Sequence, residues 1–210
     1  MKIEILYPEI CTLYGDKGNT MYLQKCLPDA EFVTTGLNEK PLFLKENIDM
    51  VYMCSMSEKS QELVLDRLMQ YKDEIAACMK DGKALFLLVG NSMELLGDYI
   101  KREDGTRVTG LGVVPGMYSV RQAPNRFNTL IKAKFNDMTL IGYTSRFAHT
   151  YGIPEDMTFC KVEIGQGSNP DTMNEGICKN RVIATYIHGP LLIQKPDFVH
   201  SRQLCARHMM

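Results

Sequence analysis

Two largely apolar runs in the first half of the chain constrain its fold more than any other feature. They are "IDMVYMCS" (residues 48–55) and "KALFLLVG" (residues 83–90), and neither alternates apolar with polar residues as a half-exposed strand would. Strands of this kind are buried on both faces, as in a parallel sheet covered by helices. Between them, apolar residues recur at helical spacing: Leu65, Leu68, Ile75 and Met79. The order of these elements predicts right-handed strand–helix–strand units.

The neighbouring segments extend this alternation. "KIEILY" (residues 2–7) and "AEFVTTG" (residues 30–36) are predicted strands, joined by a glycine-containing loop and a short helix. Ser55 and Glu58 have the spacing of a capping box for the helix between the two apolar runs, and Gly82 is placed to end that helix.

The second half of the chain changes character. "RFNTLIKAKF" (residues 126–135) and "DMTLIGYTS" (residues 137–145) meet at a short turn containing "ND", which indicates an antiparallel pair. Two more strands are predicted at residues 157–165 and 181–189, and a closing helix at residues 195–210.

Length and composition are those of one globular domain. A chain of 210 residues with 45% hydrophobic content can bury a large core. We predict a single α/β domain over residues 1–210, with a mostly parallel sheet, helices on both faces and an added antiparallel part in the second half.

Charge and hydropathy exclude several classes of partner. The formal net charge is −1 and the isoelectric point is near 6.4, so no strong field attracts nucleic acid or anionic lipid. No apolar run approaches the roughly 18 to 20 residues that a membrane span needs. The opening "MKIEILYPEI" begins a strand pattern and has an acidic residue where the apolar region of a signal peptide would lie. We therefore expect neither nucleic-acid binding nor membrane insertion.

The cysteines and histidines do not form a metal-binding or disulfide pattern. The seven cysteines are scattered, odd in number and free of CxxC pairs, and the four histidines lack ligand spacing. Reduced thiols in a cytoplasm are the expected state, with no metal and no cofactor.

The predicted topology itself proposes a site. In such sheets ligands bind outside the carboxyl ends of the strands, where the loop after the first strand, residues 54–57 and the turn at Gly90 would meet. His188 ends the last predicted strand and could join them. "LLVGNSMELLG" (residues 87–97) has the form of an elbow on which enzymes mount a nucleophile, yet glycine stands at its bend.

Three stretches of the chain have counterparts in one known family. "LYPEICTLYGDKGNTMYL" (residues 6–23) resembles a strand followed by "YGDRGN", and "NEGICKNRVIATYIHGPLL" (residues 174–192) resembles "EG…N…GTYLHGPLL". "MELLG" (residues 93–97) resembles the end of "CGGYQLLG". In these motifs and their order the chain is similar to the class I glutamine amidotransferase-like family, of the GatD/CobQ type. The resemblance implies that family's flavodoxin-like α/β fold.

The resemblance also implies a site. In the family a Cys thiolate attacks the glutamine amide, a His activates it and backbone N–H groups hold the oxyanion. On this mapping the histidine is His188, and Gly90 stands at the nucleophile position, where the cysteine is missing. The other mapped positions are Cys54, Ser55 and Met56 in the oxyanion loop, Asn91 and Ser92 in place of two glycines, and Thr144, Ser145 and Arg146 in place of the Glu-Asn-His of "GFENHGGRT".

Magnitudes indicate what these departures mean for activity. Removing a catalytic nucleophile costs on the order of 10⁶ in turnover, or about 8 kcal/mol of transition-state stabilisation. Spoiling an oxyanion donor costs about 10² to 10³ when it is considered alone. We therefore predict that the chain does not hydrolyse glutamine by the family mechanism.

Several of these residues also have a simpler interpretation. Gly90 marks a lost nucleophile, or an alignment slip at a glycine that only permits close packing. Ser92 caps a helix or replaces the nucleophile, and Cys54 is an apolar filler or a displaced thiol. His188 is a structural hydrogen-bonding group or a ligand contact. In "YGDKGN" (residues 14–19), turn formation and helix capping are favoured over phosphate binding.

Two main functions follow from the resemblance. The first is an impaired homologue that acts as a partner subunit or binds glutamine or a related small molecule. GatD is the glutaminase subunit of lipid II isoglutaminyl synthase, so the implied partner is a Mur-ligase-like, MurT-type synthetase. The alternative is a working glutaminase that supplies ammonia for cell-wall or cobalamin-type amidation through relocated residues such as Cys54, Ser92 and His188. A plain metabolite-binding module is a third class.

Overall fold

The computed structural model describes residues 1–15, 17–188 and 191–194, and the strands of these residues form two sheets. The strands are β1 (Lys2–Leu6), β2 (Glu31–Thr35), β3 (Met50–Met53), β4 (Leu85–Val89), β5 (Tyr99–Lys101), β6 (Arg107–Thr109), β7 (Tyr118–Arg121), β8 (Phe127–Phe135), β9 (Met138–Arg146), β10 (Ala148–Tyr151), β11 (Thr158–Ile164), β12 (Asn174–Lys179) and β13 (Val182–Thr185). The α-helices are α1 (Lys17–Cys26), α2 (Glu58–Met69), α3 (Lys72–Asp81) and α4 (Leu191–Gln194), and short 3₁₀ helices occupy Leu13–Gly15, Leu42–Leu44, Gly90–Leu96 and Glu155–Met157.

The larger sheet joins a parallel half to an antiparallel half. Its strand order is β2-β1-β3-β4-β13-β12-β11-β8-β9. The strands from β2 to β13 in this order are parallel, and the rest pair antiparallel. Every residue of β3 and β4 is buried, as the two apolar runs predict. The predicted α/β fold is confirmed, including the antiparallel β8–β9 pair.

The smaller sheet was not predicted from the sequence. Its order is β10-β7-β5-β6, and each of its strands is three or four residues long. Such short segments carry too few residues for an alternating pattern to be recognised. Tyr99, Tyr118 and Tyr151 stack across three of its strands, with ring centroids 5.2 and 5.5 Å apart. These contacts join segments distant in the sequence, and they stabilise strands that have weak local signals.

The helical region before β4 differs from the prediction in two ways. The capping box at Ser55 is wrong, because the N-cap of α2 is Ser57, whose side chain accepts a hydrogen bond from the Ser60 N–H at 3.1 Å. The predicted single helix is two helices, α2 and α3, interrupted at Gln70 and Tyr71. Gly82 ends α3 as predicted, with a left-handed φ of 61°.

Two further sequence predictions concern the closing helix and membrane-spanning segments. The predicted closing helix at residues 195–210 lies outside the described residues. Among the helices that are described, none has the length and hydrophobicity required to cross a bilayer.

A buried carboxylate connects the first strand to the segment that follows β2. Glu4 is fully buried and accepts hydrogen bonds from the Thr35 hydroxyl and from the backbone N–H groups of Leu42 and Phe43, at 2.5, 2.7 and 2.8 Å. Burial raises the pKa of this carboxyl, and the three donors partly offset the effect. Glu4 therefore anchors the 3₁₀ helix at Leu42–Leu44 to the parallel sheet.

We expect Glu4→Gln to lower the free energy of unfolding by about 1.5 to 3 kcal/mol, as for buried hydrogen bonds to a charged group. The amide has one acceptor oxygen, so part of the donor set loses its partner. The matched control is Glu39→Gln, because the exposed Glu39 also accepts a backbone N–H, from Gly36 at 2.7 Å. Its expected change is within about 0.5 kcal/mol. Urea unfolding measures both, and equal losses would contradict the role assigned to Glu4.

Candidate active site

The elbow predicted after β4 is present. Gly90 begins the 3₁₀ helix at Gly90–Leu96 directly after β4 and has a left-handed φ of 70°. A strand-to-helix elbow imposes this strained conformation on the residue that would carry a nucleophile. Glycine adopts it without a steric penalty. The backbone at Gly90 therefore has the shape of a nucleophile mount, at a residue that has no side chain.

The space beside Gly90 is filled by two other side chains. A Cβ atom at this position would lie 2.5 Å from Ser55 Cβ, 2.7 Å from His188 Cε1 and 3.3 Å from His188 Nδ1, whereas real Cβ atoms essentially never come closer than 3.0 Å. The structure thus brings Gly90, Ser55 and His188 together. It leaves no room for a side chain at residue 90 unless the other two shift.

His188 is held on several sides. Its backbone N–H donates to the Tyr143 carbonyl at 2.8 Å, and its ring packs against Tyr14 and Tyr143 with centroids 4.6 and 5.5 Å away. Nε2 lies 2.9 Å from the Ser145 carbonyl oxygen. Because a carbonyl only accepts, Nε2 carries the proton, and in the neutral ring Nδ1 is the acceptor on the side of Gly90. In this tautomer the ring presents a hydrogen-bond acceptor towards the position that the resemblance assigns to a nucleophile.

The loop after β3 is bound by the side chain of Asn91. The Met56 N–H donates to Asn91 Oδ1 at 3.0 Å, and Asn91 Nδ2 donates to the Met56 carbonyl at 2.7 Å. The resemblance maps this loop onto the family's loop that supplies an oxyanion donor. The N–H of Met56 is already used by a side chain that replaces a glycine, so it is not free to bind an oxyanion.

Ser92 and Cys54 are both buried. Ser92 is fully buried. Its Oγ lies 2.8 Å from the Val89 carbonyl and 3.3 Å from the Met53 carbonyl, so its hydroxyl donates to carbonyls at the ends of β4 and β3. The predicted capping role of Ser92 is wrong, because the 3₁₀ helix there has no side-chain cap. Cys54 is buried at the end of β3.

The thiol of Cys11 is buried as well. It donates towards Met56 Sδ at 3.8 Å. Burial raises the pKa of the Cys11 thiol, with Cys54 as a smaller cause. A raised thiol pKa suppresses the thiolate that nucleophilic chemistry needs.

A buried polar network beneath the elbow was not predicted. Gln61 Nε2 donates to the Asn91 carbonyl at 2.7 Å and to Glu94 Oε2 at 2.9 Å. Glu94 Oε1 accepts from the Tyr186 hydroxyl at 2.9 Å, and Gln61 Oε1 accepts from Arg121 Nη2 at 2.8 Å. Burial raises the pKa of the Glu94 carboxyl. The sequence signal for this network was a charged residue inside the apolar "MELLG".

The segment mapped onto Glu-Asn-His lies beside His188. Thr144, Ser145 and Arg146 are all buried at the end of β9. Ser145 contributes its carbonyl to His188. The Arg146 guanidinium stacks over the Tyr186 ring at 4.3 Å and donates to the Gly167 carbonyl. In the described part of the chain, no group of three or more His, Cys, Asp or Glu side chains could hold a metal ion.

Two curated relatives match most of the chain. The GatD subunit of lipid II isoglutaminyl synthase (glutamine-hydrolyzing) from Streptococcus pneumoniae (strain ATCC BAA-255 / R6) is 26% identical over 204 residues, covering 95% of this chain and 78% of the relative. The subunit of the same name from Staphylococcus aureus (strain N315) is 25% identical over 183 residues, covering 86% and 73%.

Solved structures share the fold at low identity. A chain of PurLQS from Thermotoga maritima superposes with a TM-score of 0.61 at 10% identity, covering 89% of this chain and 86% of that chain. A glutamine amidotransferase from the same organism has a TM-score of 0.57 at 11% identity, covering 97% and 82%. The family model of the CobB/CobQ-like glutamine amidotransferase domain matches residues 2–196. The chain therefore belongs to the CobB/CobQ-like glutamine amidotransferase family.

Proposed function

We propose that this chain is a GatD/CobQ-type homologue that has lost glutamine hydrolysis and acts as a partner subunit or a ligand-binding protein. The observation that carries the proposal is the packing at Gly90, where a side chain would lie 2.5 Å from Ser55 Cβ and 2.7 Å from His188 Cε1. The position has no side chain, and any side chain there would require Ser55 and His188 to shift.

The oxyanion loop supports the same proposal independently. The Met56 N–H is bound by Asn91 Oδ1 at 3.0 Å, so a tetrahedral intermediate would have to displace an existing hydrogen bond. Loss of the nucleophile alone corresponds to about 8 kcal/mol of transition-state stabilisation, which no rearrangement of a single donor restores.

The GatD relatives support a partner. Both are named as a subunit of lipid II isoglutaminyl synthase. By this likeness we propose that the chain is a single cytoplasmic domain that binds a Mur-ligase-like, MurT-type synthetase in peptidoglycan biosynthesis, with glutamine or a related small molecule as its ligand. Co-purification with such a synthetase from the same organism is the expected result, and failure to co-purify would count against the partner.

We expect the full chain to release no ammonia from L-glutamine above a buffer blank, and Gly90→Cys not to restore release. A cysteine at residue 90 meets Ser55 and His188, and the donor at Met56 remains occupied. The measurement is an enzyme-coupled ammonia assay, with the glutamine-hydrolysing GatD of Streptococcus pneumoniae run in parallel.

Reaction with 6-diazo-5-oxo-L-norleucine, followed by mass spectrometry, provides a second measurement. No cysteine is expected to be labelled stoichiometrically. Ammonia release by the unmodified chain that disappears in His188→Ala, or stoichiometric labelling of Cys54, would contradict the proposed loss of activity and favour a relocated nucleophile.

Substitution of Gly90 by alanine tests the packing without any chemistry. We expect Gly90→Ala to destabilise the chain by about 1 to 3 kcal/mol more than Gly105→Ala, because only residue 90 is also overpacked. Gly105 is the matched control, since it has a left-handed φ of 86° with nothing within 4 Å of its would-be Cβ. Its own cost is about 1 to 2 kcal/mol, from backbone strain alone. Urea unfolding gives both values, and equal costs would mean that the space at Gly90 is open.

A further inference from the structure

Buried polar atoms without a hydrogen-bond partner are concentrated in the short segment 144–149. They are Thr144 Oγ1, Arg146 Nε, Arg146 Nη1 and His149 Nδ1. Burying such an atom is unfavourable if nothing satisfies it, because the atom gives up its hydrogen bonds to water. Such a concentration requires an explanation, and a ligand that supplies the missing partners is a physical one.

The three side chains are held close together. Thr144 and Arg146 are two residues apart on β9, so both point to the same face of the strand. Phe127 on β8 lies directly opposite Arg146, and the His149 ring packs on the Phe127 ring with centroids 4.1 Å apart. The side chains of Arg146, Thr144 and Phe127 are therefore on one face of the sheet, and the charge of Arg146 acts on the His149 imidazole that packs on Phe127.

Arg146 is the strongest member of this group. Arg146 is only 3% exposed. Among the described residues, only its Nη2 has acceptors, which are the Gly167 carbonyl and, at 3.5 Å, Gln166 Oε1. The N–H groups on Nε and Nη1 are donors that cannot be switched off, because a guanidinium stays protonated in proteins. A cation this deeply buried requires an acceptor-rich, negatively charged partner.

The buried carboxylates nearby are committed to other donors. Glu175 accepts from the Thr185 hydroxyl and the Tyr186 N–H, each at 2.7 Å. Glu94 is bound by Gln61 and Tyr186. Both act on Arg146 through space, yet neither accepts a hydrogen bond from it within the described part of the chain. The unused donors of Arg146 are thus left for a group from outside.

We propose that Arg146, with Thr144 and His149 beside it, binds the oxyanion group of a small carboxylate or phosphate ligand. The guanidinium supplies charge and N–H donors, and the Thr144 hydroxyl supplies one more donor. His149 is 5% exposed, and the exposed Asp171 is close enough to act electrostatically on its imidazole. This site is adjacent to the elbow, and the proposal does not depend on whether glutamine is hydrolysed.

The test uses the full chain with succinate and with inorganic phosphate, against sodium chloride at equal ionic strength. We expect at least one anion at about ten times its Kd to raise the thermal midpoint by about 2 °C or more, as one-site binding to the folded state requires. Arg146→Gln should abolish the shift. Arg146→Lys, which keeps the charge without the planar donors, should weaken Kd at least about tenfold. Comparison of the two anions identifies which oxyanion the site prefers.

Arg126→Gln is the charge-matched control. Arg126 is exposed and stacks on Phe147 at 4.5 Å, so its loss removes the same charge from the same region without touching Arg146. Binding should survive in this variant. An anion shift that is absent, or that Arg126→Gln removes and Arg146→Gln does not, would overturn the proposal and leave Arg146 as a packing partner of Tyr186.

The imidazole of His149 gives a readout that does not depend on how well the Arg146 variants fold. Burial, with the charge of Arg146 as a smaller cause, lowers the pKa of His149 to about 4, while Asp171 opposes the shift. A bound anion offsets the charge of Arg146, so NMR titration of the unmodified chain should give a higher pKa for His149 with saturating anion. An unchanged pKa at saturation would place the anion elsewhere.

Discussion

The parallel register of β3, β4 and β13 is the constraint on which the site depends. Met53 pairs with Leu88, and Val89 pairs with Thr185, so the three strands end nearly level. The residues that follow these ends are Ser55, Gly90 and His188, and the shared sheet edge brings them together. Because protein interiors are close-packed, the space beside a glycine at the centre of such a junction is filled by its neighbours. The packing at Gly90 follows from the register and from the absence of a side chain.

The polar network under the elbow fixes the same junction from below. Gln61 on α2 binds the Asn91 carbonyl and the Glu94 carboxyl, which in turn binds the Tyr186 hydroxyl. Helix α2, the 3₁₀ helix of the elbow and the segment after β13 are thus joined by directed bonds in a low-dielectric interior, where losing one partner is costly. The loop at Met56 is attached to this unit by both bonds from Asn91. Freeing the Met56 N–H would disturb an already satisfied set of bonds.

Sequence patterns were sufficient where the signal is local. Buried runs predicted β3 and β4, and the "ND" turn, with Asn136 at φ 50°, predicted the β8–β9 pair. The four-stranded sheet could not be predicted, because its strands are short and depend on stacking between Tyr99, Tyr118 and Tyr151.

The candidate site, too, could be predicted from the sequence only in part. The resemblance and the predicted strand order together indicated that Gly90 and His188 lie close together. The network from Gln61 to Glu94 and Tyr186 spans separations of 33 and 92 residues, and no local pattern encodes such pairs. The role of Ser92 was misjudged for the same reason: its second partner, the carbonyl of Met53, is 39 residues away.

Gly90 and Arg146 differ in what they do to stability. The φ of 70° at residue 90 is set by the strand-to-helix transition, and glycine removes the strain that a nucleophile would bear there. Arg146 does the opposite, since it places an incompletely hydrogen-bonded cation in the interior beside the position where catalysis would occur. Strain at a catalytic residue is useful only if chemistry occurs, whereas a desolvated cation is useful if an anion binds. The glycine at residue 90 and the buried cation at Arg146 both support the proposed function, in which the site holds a ligand without transforming it.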